Sequence, residues 1–191
     1  MAYTPSLAQA GVLPVQGVSS IDPGITTPQS VSDTSITTTI PTPPAYPGMI
    51  ITATDPTYGE GEFILLKGVG SNTVGSMVSY ISTSWVTTLL VNTANASTPV
   101  ACSMAANTTT TSWSWYQIQG LAVVKKTAVK ADPAANGKRC YISATAGRIM
   151  QTSAAGVAVL GMSRANAATV TSTVSTVICL MNRPHVQGPI T

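Results

Sequence analysis

The fold of this chain is decided by one stretch, the central stretch, which reads Trp113-Ser114-Trp115-Tyr116-Gln117-Ile118-Gln119-Gly120-Leu121-Ala122-Val123-Val124-Lys125-Lys126. Two of the three tryptophans lie here, directly beside a tyrosine. Because side chains alternate across a strand, one face is predicted to carry Trp113, Trp115, Gln117 and Gln119, and the other Ser114, Tyr116 and Ile118. The apolar pattern continues after Gly120, so this glycine is predicted to be a bulge or corner. The stretch is therefore predicted to be the middle of an all-β domain.

Short apolar runs flank the central stretch on both sides, separated by Gly, Asn and Pro turns. Strands are predicted at 49–54, 62–67, 76–82, 85–91, 98–104, 138–143, 148–151, 156–162 and 173–182. Pro184 is predicted to end the last of them, because proline interrupts a hydrogen-bonded ladder. Strands spaced by roughly 8–12 residues with turns between them indicate a β-sandwich or a β-barrel.

Residues 1–47 differ in composition from residues 48–191. Eight of the 13 prolines lie in this first segment, among Ser, Thr and Gly. Proline at this density blocks helices and central strands and favours an extended chain. Small apolar residues recur through the segment and are predicted to contact a neighbouring protein chain: Leu7, Val12, Leu13, Val15, Val18, Ile21, Ile25, Val31, Ile36 and Ile40. We expect 1–47 to be an extended N-terminal arm that orders on a neighbour, or alternatively a linker, and 48–191 to be the β-rich domain.

The low content of charged residues limits the classes of partner that this chain is expected to bind. Charged residues make up 8% of the chain, against about 25% in a typical soluble domain. Much of the surface is therefore expected to be covered by partners or formed by Thr, Ser and Asn. The net charge of +3 comes without the dense basic runs and interleaved aromatics of nucleic-acid binders, so direct nucleic-acid binding is not expected. No apolar run approaches 18 residues, and no membrane span is expected.

The cysteines and the histidine do not form a pattern with a known chemistry. Cys102, Cys140 and Cys179 are far apart and each lies in an apolar run, so buried thiols in a reducing cytosol are expected. One disulfide with one free thiol remains an alternative. His185 is the only histidine, and one histidine with scattered cysteines does not make a zinc site. We predict an exposed or interface histidine, and no metal, cofactor or catalytic residue.

Two other groups resemble ligand sites only in part. Glu60 and Glu62 would share one side of a strand and, with Asp55, have the chemistry to bind a cation, but their spacing is not that of an EF-hand. A solvated turn is the preferred interpretation. Trp113 and Trp115 would suit a sugar- or base-stacking platform if they were exposed. At alternate positions of a central strand they are expected to pack in a core or a subunit interface instead.

Five segments together resemble the head decoration proteins of tailed bacteriophages. They are Gly61–Gly68, Val74–Val78, Pro99–Ala105, Trp113–Ala122 and Cys140–Gly147. The aromatic strand ends in Gln-x-x-Gly, and the last segment contains Tyr-x-x-Ala-Thr-Ala-Gly. The resemblance rests on the order of the segments within about residues 59–186 and leaves the arm outside. It implies a β-rich protein, commonly a trimer, that binds the outside of the capsid shell and acts as cement across capsomer junctions.

These observations together predict a non-enzymatic virion structural protein that stabilises the head. Its expected partners are the major capsid protein and further copies of itself, in a homotrimer, on the outer capsid surface after assembly in the host cytoplasm. A phage tail, fibre or baseplate protein is the nearest alternative. A glycan-binding β-module that uses Trp113 or Trp115 in a groove is a second alternative, from another functional class.

Overall fold

The computed structural model describes residues 4–5, 47–106, 110, 113–127 and 137–188. In these ranges the chain is all-β, with no helix, which confirms the predicted fold class. The strands form one antiparallel sheet that curls into a half-barrel. The division between an arm at 1–47 and a domain at 48–191 stays a prediction, because most of the arm lies outside the described residues.

Eleven strands follow in chain order through the described ranges. Their bounds are β1 Thr4–Pro5, β2 Ile50–Asp55, β3 Gly59–Lys67, β4 Met77–Tyr80, β5 Thr87–Leu89, β6 Val100–Ser103, β7 Trp113–Lys125, β8 Lys138–Ile142, β9 Ile149–Met150, β10 Ala158–Arg164 and β11 Thr176–Val186. The main order across the sheet is β1-β2-β3-β7-β11-β10-β8-β9. A branch leaves this path at β7, where β6 pairs with β7 and with β4, and β4 pairs with β5.

Strand β7 is the element to which most of the sheet is attached. Its first half pairs with β3, where Trp115 lies opposite Leu65, and with β6, where Gln117 lies opposite Cys102. Its second half pairs with β11 from Gln119 onwards. The predicted alternation of faces is confirmed, because the tryptophans and Tyr116 pack in different apolar clusters. The central stretch is therefore the framework of the domain.

Three apolar clusters form the core. One contains Trp113 and Trp115 with residues of β2 and β3, and a second contains Tyr116 and Ile118 with residues of β3, β4 and β6. The largest lies along the second half of β7 and extends over β8, β10 and β11. Aromatic side chains bury the largest apolar areas, so the clusters around β7 are a major source of stability.

Two local predictions were wrong. Strand β11 does not end before Pro184 but continues to Val186. Pro184 lies in an irregular part of the β10–β11 pairing, between Met162 opposite Met181 and Leu160 opposite His185, where the ladder does not require its missing N–H. Trp85 was predicted to begin a strand, yet it precedes β5 with a φ of 58°.

Candidate functional site

The aromatic part of the central stretch is interior. Trp113 is 6% exposed and Trp115 is not exposed at all. Tyr116, on the opposite face, is equally buried, and its hydroxyl accepts a hydrogen bond from Asn72 Nδ2 at 3.0 Å. A base- or sugar-stacking platform requires an exposed ring face. These two tryptophans therefore do not provide one, and the expectation that they pack in a core is confirmed.

Gly120 lies at a bulge in β7, as predicted, although the extra residue precedes it. The register with β3 shifts between Gln119, opposite Glu62, and Gln117, opposite Phe63. The buried Gln117 side chain turns towards the bulge, and its Nε2 donates to the carbonyl oxygens of Gln119 and Leu121, each at 3.0 Å. Gln117 thereby supplies hydrogen bonds to two carbonyls on either side of Gly120.

A shallow surface cleft of about 310 Å³ lies beside this bulge. It is lined by Glu60, Gly61, Glu62, Gln119, Gly120, Leu180, Met181 and Asn182. Arg183 donates to Glu62 Oε2 from both Nε, at 3.1 Å, and Nη2, at 2.9 Å. The cleft thus carries two carboxylates, one of which is paired with a guanidinium.

Asp55 does not join these carboxylates. Its Oδ1 accepts hydrogen bonds from the backbone N–H of Thr57, at 2.7 Å, and of Tyr58, at 3.0 Å, and so shapes the β2–β3 turn. Across the residues that the structure describes, no group of three or more His, Cys, Asp or Glu side chains is placed to hold a metal ion. The solvated turn expected for the three acids is therefore wrong in part: Asp55 is buried at the turn, whereas Glu60 and Glu62 lie in β3 at the edge of the cleft.

The three cysteines are buried and the histidine is exposed, as the sequence analysis predicted. His185 is exposed on β11. All three cysteines are free and fully buried, and burial raises the pKa of the Cys102 thiol to about 12, so it stays protonated and unreactive near neutral pH. The Sγ atoms of Cys140 and Cys179 are 3.8 Å apart, a contact rather than a bond. Their strands, β8 and β11, both pair with β10.

The ten apolar arm residues predicted to make contacts, Leu7, Val12, Leu13, Val15, Val18, Ile21, Ile25, Val31, Ile36 and Ile40, lie outside the described residues. The described part of the arm before residue 47 is β1, which pairs antiparallel with the outer edge of β2. Thr4 lies opposite Thr54, and Pro5 opposite Ala53. The β2 edge is thus a surface that accepts an added strand, and it is the candidate binding site of this chain.

Trp85 packs against the start of the domain at Gly48. Gly48 lies flat against the Trp85 indole, so close that a Cβ on Gly48 would come within 2.4 Å of the ring. Trp85 adopts its positive φ while its carbonyl accepts a hydrogen bond from Lys67 N at 2.8 Å. Ile50, at the start of β2, is 39% exposed, and Ile81 and Val86, on either side of Trp85 in sequence, are 56% and 37% exposed. Exposed apolar side chains beside a strand edge are typical of a protein contact surface.

Sequence reasoning found β2 but not its role as an edge. One available signal was the pair of prolines that flank the strand, Pro47 and Pro56, since prolines are tolerated at sheet edges and strand ends. The position of Trp85 had no comparable signal. Its conformation depends on contacts with Gly48 and Lys67, which are far from it in the sequence.

Comparisons of this chain with models of protein families, with curated proteins and with solved structures found no match. Within the described ranges, no helix has the length and apolar character needed to cross a membrane.

Proposed function

We propose that this chain is a non-enzymatic virion structural protein, which binds the outer surface of a capsid shell and cements neighbouring capsomers. Its partners in this proposal are the major capsid protein and further copies of the chain. The observation that carries the proposal is the β2 edge, which accepts the start of the N-terminal arm as an added strand. Strand addition supplies affinity through backbone hydrogen bonds and needs no reactive side chain.

The segments that carry the phage resemblance support the proposal by their arrangement. Four of the five fall on or lead into β3, β4, β6 and β7, which pair in the order β3-β7-β6-β4. They therefore form one contiguous part of the sheet around the central stretch. The fifth segment, Cys140–Gly147, begins in β8 and continues into the turn before β9.

The composition of the surface gives further support. With 8% charged residues in the chain, the exposed positions are largely Thr, Ser, Asn and Ala, and they include apolar residues such as Ile81 and Val91. Cores of protein–protein interfaces are depleted of charge in the same way. Many weak contacts, repeated over a shell, raise the overall affinity through multivalency.

The test is co-sedimentation with capsid shells assembled from the major capsid protein of the same genome. The full chain is expected to sediment with the shells and to raise the temperature at which they disrupt. A chain that lacks residues 1–45 keeps every strand from β2 to β11, so it is expected to fold and yet to lose stable attachment.

Circular dichroism of the truncated chain is the control for folding. If the truncated chain binds shells as tightly as the full chain, the arm does not carry the attachment. If the full chain sediments with purified tails and not with shells, the tail, fibre or baseplate alternative is correct and the capsid proposal is wrong.

A further inference from the structure

Two surface clefts meet at β11 and together form one longer depression, the double cleft. The cleft described above contains Glu60 and Glu62, and a second cleft, also of about 310 Å³, contains Arg139. Leu180 and Asn182 line both of them. We propose that the double cleft binds an extended peptide segment of a protein partner, with a basic side chain of the peptide at Glu60 and an acidic one at Arg139. The proposal goes beyond capsid attachment and does not depend on it.

The register of the sheet places Arg139 and Leu180 in one row across the strands. Leu180 of β11 lies opposite Ser163 of β10, and Ser163 lies opposite Arg139 of β8. On its other side, Leu180 lies opposite Leu121 of β7. Residues directly opposite in antiparallel strands project from the same face of a sheet. All four are exposed or partly exposed, so the row lies on the solvent face.

Glu60 of β3 continues this row on the far side of β7. Glu62 lies opposite Gln119, and because β3 and β7 are antiparallel, Glu60 comes beside Leu121, two residues further along each strand. The two backbones are close there, since a Cβ on Gly120 would come within 2.5 Å of the Glu60 carbonyl oxygen. From Glu60 to the β8 end, the row crosses β3, β7, β11, β10 and β8. Four strand spacings of ~4.8 Å make this a distance of about 19 Å along the sheet.

The shape of the double cleft suits an extended chain with short side chains. No side chain projects at Gly120 or Gly161, so a depression lies on each side of Leu180, which is 48% exposed. An extended peptide rises by ~3.3 Å per residue, so about six residue steps cover the row. Because side chains alternate along an extended chain, two positions six apart point to the same side. One peptide can therefore present a basic and an acidic side chain to the two ends of the row.

The ends of the double cleft carry opposite charges that this chain does not neutralise. Glu62 is paired with Arg183, whereas Glu60 is exposed and has no ion pair within the described ranges. Arg139 is likewise exposed and, in the same part of the chain, has no acidic partner. Complementary charges select a partner and fix its orientation more than they add affinity. The double cleft is therefore expected to discriminate between peptides by the charges at their two ends.

The test is a nuclear magnetic resonance titration of the isotope-labelled full chain with two synthetic peptides of seven residues. Both are acetylated and amidated and have serine, threonine and valine at the inner positions. The bipolar peptide begins with lysine and ends with aspartate, and the acidic peptide has aspartate at both ends. The bipolar peptide is expected to shift the backbone amide signals of Gly161 and Leu180. It is also expected to bind about fivefold more tightly than the acidic peptide, the scale of one exposed charge pair.

Glu60→Lys makes both ends of the double cleft basic and is expected to reverse the preference, so that the acidic peptide binds about fivefold more tightly. Lys138→Glu is the matched control, because Lys138 is exposed next to Arg139 in the sequence but lines neither cleft, and it should leave the preference unchanged. The amide spectrum of each variant checks its fold. Equal binding of the two peptides, a preference that Glu60→Lys does not reverse, or no shift at Gly161 and Leu180 at millimolar peptide would each overturn the proposal.

Discussion

A β-bulge with a glycine of positive φ occurs twice in the sheet, once at its centre and once nearer to one end of the strand order. Gly120 of β7 and Gly161 of β10 both have positive φ, at 95° and 71°. A Cβ at either glycine would come within 2.5 Å of a backbone oxygen on the neighbouring strand, that of Glu60 or of Asn182. Both bulges thus bring two backbones too close together for any side chain.

The two bulges differ in what surrounds them. At Gly120 the buried Gln117 amide donates to the carbonyls on both sides of the glycine. Both glycines line surface clefts, but Gly161 is exposed whereas Gly120 is partly buried. A bulge in the middle of a sheet needs a dedicated side chain to replace ladder hydrogen bonds, whereas a bulge at the surface can leave that role to water. The comparison predicts that the central bulge is rigid and that the outer bulge tolerates substitution better.

The largest effect is expected from Gly120→Ala. The new Cβ would clash with the Glu60 carbonyl and would also lie 3.0 Å from Gly61 Cα, in a backbone conformation that alanine disfavours. Strain and overpacking together are expected to lower the free energy of unfolding by about 4 kcal/mol, measured by urea denaturation. Gly161→Ala meets the same clash, but Gly161 is exposed and lies in the register gap of both pairings of β10, so its own backbone can shift and about 2 kcal/mol is expected.

Gly59→Ala is the control that measures the cost of the positive φ without a steric clash. Gly59 has a φ of 73°, and nothing lies within 4 Å of its missing Cβ. Its substitution is expected to cost about 1 kcal/mol. If Gly161→Ala proves as costly as Gly120→Ala, the two bulges are equally rigid and the comparison fails.

The next effect concerns the side chain that distinguishes the central bulge. Gln117→Met keeps the length of the side chain but removes both hydrogen bonds, and is expected to cost about 1–3 kcal/mol in the same measurement. Gln119→Met is the matched control, since Gln119 is exposed two residues along β7, and should change stability by less than about 0.5 kcal/mol. Equal losses in the two variants would mean that Gln117 has no special role at the bulge.

The local sequence pattern was sufficient to predict where the central strand lies and which side chains share each of its faces. The alternation of Trp113, Trp115 and Tyr116 predicted two faces, and the structure places them in separate clusters. That both faces are buried depends on β3 and β6, which pair with β7 from distant parts of the sequence. Periodicity within one strand does not contain that information.

The error at Pro184 arose because a bulge changes what a position requires. Pro184 would end a regular strand, but at an irregularity its missing N–H leaves no ladder bond unmade. Likewise, Gln117 and Gln119 look equivalent in the sequence, yet the register shift between them leaves one buried and one exposed. The β2 edge was missed as a site for a related reason, because whether a strand lies at an edge is a property of the whole sheet.

The smallest effect is expected from the exposed ion pair between Glu62, beside the central bulge, and Arg183, whose backbone lies beside Gly161 of the outer bulge. Arg183 is 61% exposed, so solvent screens the charges despite the two hydrogen bonds. A double-mutant cycle with Glu62→Gln and Arg183→Gln is expected to give a coupling of about 0.2–1 kcal/mol at low salt, which disappears towards 1 M salt. A salt-independent coupling of about 2 kcal/mol or more would mean that this side-chain pair holds together the strands that flank both bulges. The outer bulge would then also depend on a side-chain bond rather than on water, and its contrast with the Gln117 bulge would be lost.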